Sequence, residues 1–109
     1  MYLDIFTNID DVIQEFQLDP KDVDNINILL AQYDCPDYEG YAFVLFERDG
    51  ILYEVNGSHC SCYGLEGQWE PEETSVEALR HRMNNGNLGY GYDGNFGDDL
   101  QKILNQWEA

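Results

Sequence analysis

The sequence predicts an α+β fold, with a three-stranded antiparallel sheet, an N-terminal helix and two C-terminal helices on one face of that sheet. Three observations carry this expectation. Ile9, Val12, Ile13 and Phe16 recur at helical spacing. Two β-rich runs flank Asp49-Gly50 within "YAFVLFERDGILYEVNG". Leu100, Ile103, Leu104 and Trp107 form a second helical stripe near the end of the chain.

Taken in order, Thr7 or Asn8 caps the first helix, and Asp10 and Asp11 favour the positive end of its dipole. Asp19-Pro20 reads as a cap followed by proline at the first helical position, giving a short turn through Asp24. "NINILLAQYD", residues 25–34, changes period and reads as a strand, with "CPDYEG" as the loop after it. Asp49-Gly50 suits a type I′ hairpin turn, which sets Phe46 opposite Tyr53 and Val44 opposite Val55 on one face, with Phe43, Leu45 and Leu52 on the other. Thr74 followed three on by Glu77 forms a capping box. The short helix carrying Val76, Leu79 and Met83 ends at Asn85-Gly86, with Arg80, His81 and Arg82 near its negative end.

A length of 109 residues is that of a single domain spanning 1–109, and 43% hydrophobic residues supply its core. The outlying property is charge: 22 acidic residues against five basic ones give a formal net charge of -17. Acidic disordered chains lack aromatic and branched residues, whereas 14% of this chain is aromatic, so a folded acidic domain is expected. Such a field repels nucleic acid and anionic membrane and draws in basic partners. From Asp49 to Leu79 there is no Lys or Arg, while Asp49, Glu54, Glu66, Glu70, Glu72, Glu73 and Glu77 fall there. The chain shows no apolar run of membrane-spanning length and no signal-peptide pattern. Three cysteines are an odd number and argue against a disulfide framework, so a cytoplasmic location is expected.

Four residues offer metal-ligand chemistry: Cys35, His59, Cys60 and Cys62. Paired zinc knuckles hold two or more residues between their cysteines, and Cys60-Ser61-Cys62 holds one, so small side chains packing under a tight loop compete with a zinc site here. An acidic field raises thiol pKa and disfavours a cysteine nucleophile. Gly89-Tyr90-Gly91-Tyr92-Asp93-Gly94 fits G-x-G-x-x-G by letter, but a predicted helix precedes it and Asp93, Asp98 and Asp99 surround it, so no dinucleotide site follows. Asp34, Asp37 and Glu39 offer oxygen ligands without an EF-hand pattern. Adjacent carboxylates at helix starts and in loops read as caps and solvated surface, and no catalytic residue or cofactor is expected.

Carboxylates held on a folded surface at ~5–6 Å spacing compare with phosphates ~3.4 Å apart along each DNA strand. They suit a groove built for nucleic acid, and aromatic residues among them would serve as anchors. The run Tyr41 to Ser75, "YAFVLFERDGILYEVNGSHCSCYGLEGQWEPEETS", resembles a segment of small acidic proteins encoded by tailed bacteriophages. In size, acidity and layout the chain is similar to phage inhibitors of host defence, the anti-CRISPR and anti-restriction proteins, a likeness of class that transfers no residue role. The resemblance implies a viral, non-enzymatic inhibitor in the host cytoplasm that occupies a basic groove of a nucleic-acid-handling complex. A CRISPR effector is the first expected target and a restriction enzyme the second.

The expected contact residues are Asp34, Asp37, Tyr38 and Glu39 in one loop and Glu66, Trp69, Glu70, Glu72 and Glu73 in another, both beside the hairpin. The alternatives are a zinc-binding adaptor using Cys35, His59, Cys60 and Cys62, and a structural subunit that dimerises through exposed tyrosines.

Overall fold

The computed structural model describes residues 1–34, 40–59, 64–90 and 95–108. The α+β class holds, but the sheet has five strands in the order β1-β2-β3-β4-β5 and is mixed. Strand β1 is Tyr2–Asp4, helix α1 Ile9–Phe16, β2 Asn27–Asp34, β3 Gly40–Arg48, β4 Ile51–His59 and β5 Glu72–Thr74, followed by helices α2, Val76–Asn84, and α3, Gly97–Glu108. The expected three strands are β2, β3 and β4. The addition of β1, parallel to β2, and β5, antiparallel to β4, corrects the three-stranded antiparallel expectation. Each added strand is three residues long, too short to display a period of two.

The helices do not share a face, which is the second correction. Phe43, Leu45 and Leu52 turn toward α2 and α3, where they meet Leu79, Met83, Leu100, Ile103 and Leu104. Ala42, Val44, Phe46 and Val55 turn the other way and meet Val12 and Phe16 of α1, with Phe6 and Leu65. Strands β3 and β4 are therefore covered on both sides, which explains why the β3 sequence is a near-continuous apolar run rather than a polar-apolar alternation. A bulge between Ile28 and Leu30 inserts one residue into β2. It resets the alternation, so that Ile28 packs on the α1 side and Leu30 on the other.

The hairpin forms as expected. Phe46 pairs with Tyr53 and Val44 with Val55. Asp49 and Gly50 both take positive φ, 55° and 83°, as a type I′ turn requires. Asn8 is the α1 cap and accepts from the Asp11 backbone N–H at 3.1 Å. Pro20–Val23 is a 3₁₀ turn, with the Asp22 carboxylate accepting from the Asp19 N–H at 3.0 Å. The α2 cap is Ser75, accepting from the Ala78 N–H at 3.1 Å, one residue beyond the expected Thr74 because Thr74 is drawn into β5. Gly86, at φ 75°, closes that helix by donating to the Met83 carbonyl. Trp107, expected in the buried stripe of α3, is 36% exposed. Among the described residues no helix is long and apolar enough to cross a membrane.

Candidate interaction surface

The layer that carries α1 holds the densest run of unbalanced charge. The only basic residue from Asn8 to Asn25 is Lys21, against Asp10, Asp11, Glu15, Asp19, Asp22 and Asp24, so this stretch carries 1 − 6 = −5. Val12 and Phe16 fix the buried side of α1. That places Asp10 on the outer side and Asp11 and Glu15 on the flank, while Asp19, Asp22 and Asp24 are exposed in and around the 3₁₀ turn. Helix dipole and capping explain why the acids are tolerated there: Asp10 and Asp11 lie in the first turn, and Asp22 caps. The field is felt locally. Burial, and then the Asp10 charge, push the Tyr2 phenol above its ordinary pKa. Hydrogen bonds from the Thr7 hydroxyl and N–H hold Asp11 below the usual carboxylate value.

Residues 64–71 join the same layer. The Gln68 side chain fastens this segment to β4, accepting from the Ser58 N–H at 2.8 Å and donating to the Ser58 and Gly64 carbonyls at 2.7 Å each. Leu65 is buried against Gly57, where an added Cβ would stand 3.0 Å from the leucine side chain. Trp69 packs edge-on to Phe16, 5.2 Å between centroids, and stacks on Phe46 at 5.8 Å and 10°. Phe46 in turn stacks on Tyr53, and Arg48 caps both rings at 5.6 and 5.9 Å. Glu66 and Glu70, both exposed, lie in this segment, and Glu73 pairs with Tyr53 beside it.

The helices of the opposite layer are nearly balanced on their own. From Ser75 to Glu108 the described residues carry Glu77, Asp98, Asp99 and Glu108 against Arg80, Arg82 and Lys102, or 3 − 4 = −1. Two of these cations are spent internally. Arg80 reaches Glu108 at 2.7 Å, Asn105 at 2.8 Å and Gln101 at 2.9 Å, bracketing α2 to α3. Arg82 reaches Glu54 at 2.7 Å. Glu54, one of the acids of the stretch without Lys or Arg, is 3% exposed and paired.

The expected contact residues do not form one patch. Asp34 is exposed at the far end of β2, and Asp37, Tyr38 and Glu39 lie outside the described residues. Asp34 is level with Tyr41 and Ser58, whereas Glu72 pairs with Glu54. Four residues along the sheet and three strands across put Asp34 and Glu72 about 20 Å apart. Glu73 pairs with Tyr53 and so faces the α1 side, while Glu72 faces the α2 side with Glu54. Trp69 is half-buried and part of the packing, not a free anchor. Of the expected set, Glu66, Trp69, Glu70 and Glu73 belong together. The acids that complete the patch, Asp10 through Asp24, were missed. Their signal was present as six acids to one base within one short stretch, but the face they occupy was not.

His59, at the end of β4, is hydrogen-bonded through Nδ1 to the Tyr33 hydroxyl at 2.6 Å. Cys35, Cys60 and Cys62 lie outside the described residues, among which no group of three or more His, Cys, Asp or Glu is placed to hold a metal ion. The G-x-G-x-x-G run follows α2, not a strand, and its residues 91–94 are also outside. Gly89 serves chain packing: it accepts from the Gly97 N–H at 2.8 Å, and a Cβ there would stand 2.8 Å from the Gly97 Cα. No protein-family model, curated protein or solved structure matches this chain.

Proposed function

We propose that the protein is a non-enzymatic inhibitor that lays its α1 face into a basic, phosphate-binding groove of a nucleic-acid-handling protein. The observation that carries this reading is uneven charge: the 8–25 stretch carries −5, and Glu66, Glu70 and Glu73 extend the field around Arg48, while the described residues of 75–108 carry −1 and are joined on their side by Glu54 and Glu72. Tyr53, half-buried beneath Arg48, lies within the charged area beside Glu73. A basic groove meeting this face exchanges condensed counterions for fixed carboxylates, so association is fast and salt-sensitive. The class of phage inhibitors that the sequence resembles directs the search to bacterial defence complexes.

The test begins with immobilised protein and a bacterial lysate at low and high salt. Retention of a basic nucleic-acid-binding protein, lost as ionic strength rises and lost in the Asp10→Lys/Asp22→Lys variant, is the expected result. A DNA duplex must then compete with the inhibitor for that partner. If the partner binds duplex and inhibitor together, groove occupation is wrong.

A further inference from the structure

A groove between β5 and the start of α2 opens on the face opposite α1 and plays no part in the reading above. Ser75, Ala78 and Arg82 line its helix side, and Glu54, Glu72, Glu73 and Thr74 its sheet side. Glu54 and Glu72 are direct partners on adjacent antiparallel strands, so their side chains leave the same face of the sheet. Like charges in that relation repel, and one guanidinium serves both. Arg82 meets Glu54 Oε1 through a single nitrogen at 2.7 Å, and its own Nε is buried without a partner. Asn56 donates to the same Oε1 at 2.9 Å. Both hydrogen bonds to this 3%-exposed carboxylate thus fall on one oxygen, and Oε2 receives neither. The groove is one positive charge short beside a buried carboxylate, and the Ala78 methyl forms part of its wall.

We propose that this groove binds a primary alkylammonium group, whether the head of a lysine side chain or of a free polyamine. A compact ammonium donates in three directions, enough to reach the free oxygen of Glu54 and the Glu72 carboxylate, while its alkyl stem lies on Ala78. A divalent metal fits less well, because Arg82 already occupies the site and no group of three or more His, Cys, Asp or Glu among the described residues is placed to hold a metal ion.

Amide chemical shifts of labelled protein titrated with n-butylammonium chloride test the assignment. Saturable shifts at Glu54, Ala78 and Arg82 are expected, with affinity about fivefold weaker in Glu72→Gln and unchanged in Glu66→Gln, whose exposed side chain lies outside the groove. Spermidine binding about tenfold or more tighter than N-acetyl-lysine methylamide assigns the groove to free polyamine; equal binding assigns it to a lysine of a partner protein. Shifts reproduced by sodium chloride at matched ionic strength overturn the proposal, as does undiminished binding in Glu72→Gln or displacement by millimolar calcium. Failure here leaves the α1 face untouched as an interface.

Discussion

Thr7, Asn8 and Asp11 show how single side chains set both a helix start and a local titration. Asn8 satisfies the Asp11 N–H, while the Asp11 carboxylate accepts from the Thr7 hydroxyl and N–H. Asn8→Ala removes the cap and is expected to cost about 1 kcal/mol in urea unfolding. The Asp11 bonds favour its ionised form, so its folded pKa lies below the unfolded value. A depressed carboxylate contributes stability above the unfolded pKa, near 4, and that contribution is lost as pH falls through the lower folded value. An NMR titration should therefore place the Asp11 midpoint below that of an ordinary aspartate, and Thr7→Val should move it upward. A midpoint unmoved by the substitution would remove Thr7 as the cause. Asn8 was legible as a cap because capping is a property of adjacent residues. The role of Gln68, which closes the 64–71 segment onto β4, was not, because its partner Ser58 is ten positions away.

Elements were legible in proportion to how locally they are specified. The Asp49-Gly50 hairpin declared its turn, register and two faces in one continuous run, and the pairing follows. Strands β1 and β5 exist only because neighbours supply their hydrogen bonds, so three-residue segments such as Glu72–Thr74 carry no signal of their own. The side of the sheet on which each helix packs is likewise decided by chain crossings, not by helix sequence. Ladder alternation also explains how the outer edge is closed. The two-residue turn makes Arg48–Ile51 a hydrogen-bonded pair, so Leu52 and Glu54 bond toward β5, and Glu73 alone in β5 turns its backbone groups outward. Pro71 before it has no N–H, and Ser75 after it begins α2, which blunts the edge against further strands. At this scale the Glu54–Arg82 pair joining β4 to α2 is open to test. Glu54 is buried and Arg82 partly exposed, with side-chain accessibilities of 4% and 39%. Arg82→Met should cost about 2–3 kcal/mol by stranding the carboxylate, less than a fully buried pair because water reaches the arginine. Adding Glu54→Leu should recover most of that loss. A double variant no more stable than the single one would contradict the account.

For the molecule as a whole, the magnitude of the charge was legible in composition, while its direction was not, since which acids share a face depends on the β1–α1–β2 crossing. The sequence drew attention to the 34–39 and 66–73 segments. The structure sets Asp34 about 20 Å from Glu72 and instead puts Glu66, Glu70 and Glu73 on the same side of the sheet as the acids of 10–24. A net charge of -17 means that folding compresses like charges, so stability should rise as salt screens them. Between ~10 mM and ~0.3 M sodium chloride the Debye length falls from ~30 Å to under ~10 Å. A gain of about 1 kcal/mol then appears as a Tm increase of about 5 °C in a domain of this size. Two variants separate this general repulsion from a binding face. Asp10→Lys/Asp22→Lys changes the net charge by 2 + 2 = 4, from -17 to −13, on the α1 side. Glu77→Lys/Asn84→Lys/Gln106→Lys changes it by 2 + 1 + 1 = 4, also to −13, at exposed positions of α2 and α3. Relief of long-range repulsion favours both alike, because it counts total charge, but the first also loses the Asp22 cap and puts a lysine at the positive end of α1, so its Tm at low salt should rise less. Only the first should abolish binding to a basic groove, because contact depends on where the charge lies. Equal loss of binding in the two variants would show that the partner senses charge alone, and the α1 face would then have no special standing as an interface.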